Sequence, residues 1–225
     1  MSAAPCPTSS ASAPSGRATL TATEGLVGQG LAGDPWLDRW LPLIERHAAA
    51  RPILELGCGG GRDSATLAAA GHRVIGIDRS AKAIEKARQR VPTGMFQCQD
   101  LRVPFPVGEV AAGVVIASLS LHYFPWVETE ELVRRVRRTL MPGGLLLCRL
   151  NSTNDRHFGA VGHPAIEANY YNVDGEPKRF FDRASVDRLF GDGWRMIEQG
   201  EWVIDRYDHP KVVWEIILER TQGTS

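Results

Sequence analysis

Cysteine, lysine and net charge are scarce in this sequence of 225 residues. The four cysteines, Cys6, Cys58, Cys98 and Cys148, stand far apart. None forms a C-x-x-C pair, so the common zinc modules are not expected, and reduced thiols in a cytoplasmic protein are. No run approaches the ~18 apolar residues of a membrane-spanning helix. The N-terminus has no apolar segment of the kind found in a secretory signal. The 26 basic and 26 acidic residues cancel to a formal net charge of zero. Nothing in that balance suits a nucleic acid or an anionic membrane as partner. Only four lysines stand against 22 arginines, which reads as a compositional bias.

What is present divides the chain in three. Residues 1–33 are rich in Ala, Ser, Pro and Gly and cannot bury a core, so disorder is expected there. Order is expected from "DPWLDRWLPLIERHAAA", a helix with Asp34 as N-cap, Pro35 at its first position and an apolar stripe of Trp36, Leu37, Trp40, Leu41 and Ile44. Strands and helices then alternate. Strands are expected at 52–56, 73–78, 95–100, 111–120 and 144–150. The helices between them are expected at 62–71, from Ser80 to about Arg90, and at 128–140. Ser80 is the cap of the second, and Ala81, Ile84 and Ala87 are its inward face. Strands this uniformly apolar, separated by helices, make a parallel sheet buried on both faces, an α/β fold. Residues 151–182 break the pattern: about 32 residues rich in Asn, Gly, His and Tyr, with little periodicity. A short helix at 183–191 follows, then two strands with no helix between them, hence antiparallel neighbours.

The segment "ILELGCGGGRDS", residues 53–64, carries the chemistry. Gly57, Gly59 and Gly61 follow a strand directly and precede a helix N-terminus, the usual place for a ligand beyond the carboxyl end of a parallel strand. No Gly-Lys-Ser/Thr follows, so this is not a P-loop. The dinucleotide spacing G-x-G-x-x-G fails as well, because Arg62 or Ser64 stands where its third glycine would be. Glu55 sits inside the strand end, where it would repel a pyrophosphate and attract an ammonium group. Asp78 closes the next strand and could accept both hydroxyls of a ribose. Asp100 closes the third. Taken singly, the glycines could serve helix packing, Asp78 a helix cap and Asp100 a surface turn.

Together, "ELGCGGG", "GID", "CQDL", "VVIASLSLHYF" and "LMPGGLLL" resemble the class I S-adenosylmethionine-dependent methyltransferases over about residues 36–150. The resemblance implies a doubly wound, Rossmann-like, seven-stranded sheet, mostly parallel with its last strand antiparallel and helices on both faces. It implies one methyltransferase domain over 34–222, with a substrate-lid insert at about 151–182. The implied cofactor is S-adenosylmethionine, leaving as S-adenosylhomocysteine. Glu55, Gly57, Cys58, Gly59 and Gly61 would face its methionine part, Asp78 with Arg79 its ribose, and Asp100 with Leu101 its adenine. Ser118 and Leu119 would flank the sulfonium side. No metal is implied.

His122 and Tyr123 stand at the mouth of that site, either as its wall or, for the histidine, as a general base. Methyl transfer from a sulfonium is a one-step displacement, and a base is needed only for an acceptor with a proton of high pKa. The expected acceptor contacts are Trp36, Asn151, His157, Tyr170, Tyr171, Lys178 and Arg179, which suit a small polar acceptor, an anion included. Trp36 could instead be core, and the 151–182 insert a packed surface loop. The Asn/Asp-Pro-Pro-aromatic run of amino-group DNA methylases and the Pro-Cys nucleophile of cytosine methylases are both missing, so no nucleic acid partner is expected. "GCGGGRDS" and "AAAGHRVIGID" are also similar to tellurite-resistance and thiopurine methyltransferases. Two competing readings are an oxidoreductase binding a nicotinamide cofactor on a similar sheet, and a non-catalytic protein that binds S-adenosylmethionine to regulate a partner. Neither the acceptor nor the oligomeric state is legible.

Overall fold

A computed structural model describes residues 28–29, 34–48, 50–205 and 207–222. Its elements, in chain order, are β1 (Gly28–Gln29), α1 (Leu41–Ala48), β2 (Ile53–Leu56), α2 (Arg62–Ala69), β3 (Val74–Asp78), α3 (Ala81–Arg90), β4 (Met95–Cys98) and β5 (Ala112–Ser118). There follow α4 (Trp126–Thr139), β6 (Leu140–Asn151), β7 (Ala165–Glu167), β8 (Tyr170–Val173), β9 (Glu176–Arg179), α5 (Arg183–Leu189), β10 (Trp194–Ile204) and β11 (Lys211–Arg220).

Eight strands form one sheet in the order β1-β10-β11-β6-β5-β2-β3-β4. Setting aside the two-residue edge strand β1, these are the seven expected strands. The last of them, β11, runs antiparallel to both its neighbours, β6 and β10, while β2, β3, β4, β5 and β6 pair in parallel. Consecutive residues of the central strands feed opposite faces. Val115, Ala117, Leu146 and Cys148 pack with Leu132, Val136 and Val186 of α4 and α5. Val114, Ile116, Leu145 and Leu147 pack with Ile44 of α1 and Leu67 of α2. This two-sided burial is what the unbroken apolar runs encode. The strand order reverses at β2, whose neighbours are β5 on one side and β3 on the other. The crevice at its carboxyl end is where such sheets bind ligands.

Three expectations need correcting. Asp34 does not cap a helix. It has a positive φ of 54°, and its buried carboxylate accepts two hydrogen bonds, at 2.8 and 3.0 Å, from the guanidinium of Arg149 in β6. The helix starts seven residues later because a helix running from Pro35 would carry Pro42 in its interior, where it removes a hydrogen bond and clashes with the preceding turn. In α3, Ser80 does cap, its side chain accepting from the Ala83 amide, and Ile84 and Ala87 are buried, but Ala81 is exposed. The 151–182 insert is not without structure: β7, β8 and β9 form a separate antiparallel sheet. Apart from Gly28–Gln29, which pair in parallel with Trp202–Val203 of β10, the expectation of disorder over residues 1–33 lies outside the described residues.

Candidate active site

The loop between β2 and α2 is fixed by three glycines with positive φ: 69° at Gly57, 51° at Gly59 and 73° at Gly61. A Cβ on Gly57 would lie 2.5 Å from the Cβ of Ser120, so the glycine lets the loop after β5 close against the loop after β2. A Cβ on Gly59 would meet nothing within 4 Å. That opening faces the crevice, and only the backbone lines it. The Asp78 carboxylate binds the loop from β3, accepting from the Gly59 amide at 2.9 Å and from the Ser80 amide at 2.8 Å. A carboxylate has about four acceptor positions, so two remain for a ligand's hydroxyls.

Two cavities flank this loop. The first, of about 430 Å³, is lined by Gly57, Asp78, Arg79, Asp100, Leu101, Leu119, Ser120, Tyr123, Tyr170 and the strand start Glu176–Pro177. Asp100 is held there by Arg102, whose amide and guanidinium both bind its carboxylate. Ser120 is buried with its hydroxyl oxygen unpartnered. Leu119 has the left-handed φ of 56°, a strained conformation for a branched side chain and one that collects at ligand sites.

The second cavity, of about 750 Å³, is lined by Glu55, Gly57, Cys58, Gly59, Asp63, Ser118, Leu119, His122, Tyr123, Asn151, Phe158, Lys178, Tyr207 and Lys211, with Arg62 and Arg90 at its edge. Its lining carries charges of both signs. At the loop end, Glu55 is 3% exposed and accepts from the Ser64 hydroxyl. Burial, with Asp63 and Asp78 nearby, pushes its carboxyl well above the usual range. A buried acid with two more nearby is a setting that favours a cation. Lys178 and Lys211 stand in the same lining. Burial, then Lys211 and Lys178, hold the His122 imidazole well below its ordinary pKa, so it is neutral at physiological pH. His122 is 3% exposed and Asn151 1%, and neither His122 Nδ1 nor Asn151 Oδ1 has a hydrogen-bond partner among the described residues. Burial also raises the Cys58 thiol, which stays protonated.

Every expected cofactor residue from Glu55 to Leu119 lines one of these two cavities except Gly61, which packs against α3 instead: a Cβ there would lie 3.0 Å from Ala87. The acceptor residues divide. Asn151, Lys178 and Tyr170 line a cavity, as do His122 and Tyr123. Trp36 does not: it is core, 6% exposed, stacked under Arg149 and donating from its indole to Asp63 at 3.0 Å. Arg179 is also structural. Its buried guanidinium binds Glu167 and donates at 3.2 Å to the carbonyls of Phe124 and Ala168, tying the small sheet to the segment after β5. Tyr171 packs on Phe180. His157 stacks on His209, ring centroids 5.0 Å apart, outside either cavity. Sequence reasoning missed Asp63, Ser120, Phe158, Tyr207 and Lys211. The scarcity of lysine was an available signal, since two of only four lie here.

The residues present fit an S-adenosylmethionine: a side-chain-free opening at Gly59, a buried acid facing it, and free acceptor positions on Asp78. Residues 53–144 match the family model for a methyltransferase domain. An uncharacterized methyltransferase of Synechocystis sp. is 36% identical over 93 residues, 41% of this chain and 43% of that relative. The trans-aconitate 2-methyltransferase of Paracidovorax citrulli is 36% identical over 185 residues, 79% of this chain and 69% of the relative. This chain spans less than half the length of the Synechocystis relative, and 39% of the trans-aconitate 2-methyltransferase of Delftia acidovorans. Among solved structures, a SAM-dependent methyltransferase from Methanosarcina mazei shares the fold with a TM-score of 0.68 at 17% identity, covering 81% of this chain and 98% of that one.

Proposed function

Because the chain belongs to the class I S-adenosylmethionine-dependent methyltransferases, we propose that it methylates a carboxylate of a small organic acid. The observation that carries this reading is Lys178 in the lining of the larger cavity, with the buried His122 Nδ1 and Asn151 Oδ1, unpartnered among the described residues, in the same lining. Glu55 is the partner for the cofactor's ammonium, Asp78 for its ribose, and Asp100 with Leu101 for its adenine. When bound, S-adenosylmethionine supplies an electrophilic methyl that a carboxylate oxygen attacks with a lone pair, the C–S bonding electrons returning to sulfur to give a methyl ester and S-adenosylhomocysteine. The acceptor brings no proton to remove, and a neutral, buried His122 has none to take up. His122 and Tyr123 then act as wall and hydrogen-bonding groups, and the rate comes from alignment and exclusion of water. The names of the trans-aconitate 2-methyltransferase relatives support a polycarboxylate acceptor. The free thiols of Cys58, Cys98 and Cys148 favour the cytoplasm as its place of action.

The test is to incubate the protein with S-adenosylmethionine and a panel of mono-, di- and tricarboxylic acids, amines and phenols. S-adenosylhomocysteine and methyl esters are read by mass spectrometry. Ester formation from acids alone is expected. Turnover of amines or phenols in their place refutes the carboxylate acceptor.

A further inference from the structure

Four groups face the acceptor end of the larger cavity: Lys178, Lys211, His122 and Asn151. They are not equivalent. Lys211 is committed, its ammonium bonded at 2.8 Å to the fully buried Asp155 and resting over the Phe158 ring. Lys178, on β9, has no carboxylate partner among the described residues. Beside it, His122 Nδ1 and one end of the Asn151 amide are buried and unpartnered. Buried polar atoms are nearly always hydrogen-bonded, so two in one cavity wall mark the outline of a polar ligand. Lys178 is therefore a half-buried cation to which no described residue supplies a counter-charge.

A carboxylate gripped by an ammonium is a poor nucleophile, because the ion pair draws on the lone pairs that must attack. The group at Lys178 is thus not the group that reacts. Building on the carboxylate reading above, we propose that Lys178 is the specificity-determining residue, binding a second carboxylate of the acceptor while the first stays free at the cofactor end. The acceptor must carry at least two carboxylates. The reaction stops at the monoester, since a half ester either presents no nucleophile at the cofactor or places a neutral ester against Lys178. His122 and Asn151 contact the acceptor between its two ends.

The experiment compares wild type, Lys178→Gln and Lys178→Arg on dicarboxylic acids and their monomethyl esters. It measures kcat and KM from S-adenosylhomocysteine release, and titrates each dicarboxylate calorimetrically into the S-adenosylhomocysteine-bound protein. Wild type should prefer the diacid over its half ester, and Lys178→Gln should lose that preference by roughly 10–100-fold, the worth of a charged hydrogen bond. The loss should lie in KM and in the calorimetric affinity, with kcat nearly kept. Lys178→Arg should recover part of it. An unchanged preference in Lys178→Gln overturns the role of Lys178 while leaving ester formation standing. An equal loss on diacid and half ester also overturns it, as a merely structural effect. A wild type that binds S-adenosylhomocysteine but neither esterifies nor binds any acid overturns the carboxylate reading and this role with it.

Discussion

At the scale of single residues, the site is built from groups that the fold leaves incomplete. Glu55 is the plainest. Burial, Asp63 and Asp78 raise its pKa in the folded chain, so its neutral form is the one folding favours. The contribution to stability is full below the unfolded carboxylate pKa and is lost as pH rises through the folded value. Glu55→Gln fixes the neutral form. It should raise the melting temperature of the ligand-free protein at pH 8 by about 2–6 °C, with the gain vanishing towards pH 4. The same variant should bind S-adenosylhomocysteine more weakly in calorimetry, because the ammonium loses its partner. Asp78→Ala should weaken that binding by roughly 10-fold or more; unchanged affinity would remove Asp78 from the site. These two acids and the glycines were legible because they stand at or just beyond the ends of strands, Glu55 within β2, Asp78 closing β3 and the glycines after β2. Asn151 and Lys178 were legible only as members of a polar stretch. Lys211 and Asp63 were not, since nothing local marks a lysine at a strand start or an acid in a helix's first turn as lining a cavity.

At the scale of elements, the central sheet could be read from the chain because its strands are apolar on both faces and helical stretches with apolar faces separate them, one of them, α3, behind a recognisable cap at Ser80. The small sheet β7–β9 could not be read from periodicity, because its strands are three or four residues long and largely exposed. A turn signal was there nonetheless. Asp174 and Gly175, with φ of 52° and 87°, close a two-residue hairpin between Val173 and Glu176, and Asp-Gly is the preferred pair for such a turn. Arg179 joins this sheet to the rest. The Tyr170 hydroxyl adds a bond to the Tyr123 carbonyl at 3.0 Å, and Arg79 pairs with Glu176 at 2.9 Å across the first cavity. The last pair is exposed and contributes little by itself. Arg179→Met should therefore loosen the small sheet locally, by about 2–4 kcal/mol of opening free energy. Hydrogen exchange should accelerate over 165–179, with the amides of β5 and β6 unaffected. Equal acceleration in both would mean that the two sheets open as one unit.

At the scale of the whole molecule, ligand binding should be visible as stability. S-adenosylhomocysteine at 100 times its dissociation constant should add about 2.7 kcal/mol, a rise of roughly 5–10 °C in melting temperature for a chain this long. NAD(H) should add nothing. The reverse pattern would restore the oxidoreductase reading that the glycine spacing and the family relationship argue against. The overall architecture also bears on how turnover proceeds. Strand β9 presents Glu176 to the first cavity and Lys178, two residues on and so on the same face, to the second. One short strand is thus a wall common to the two cavities. A shift of this strand would therefore alter both cavities together.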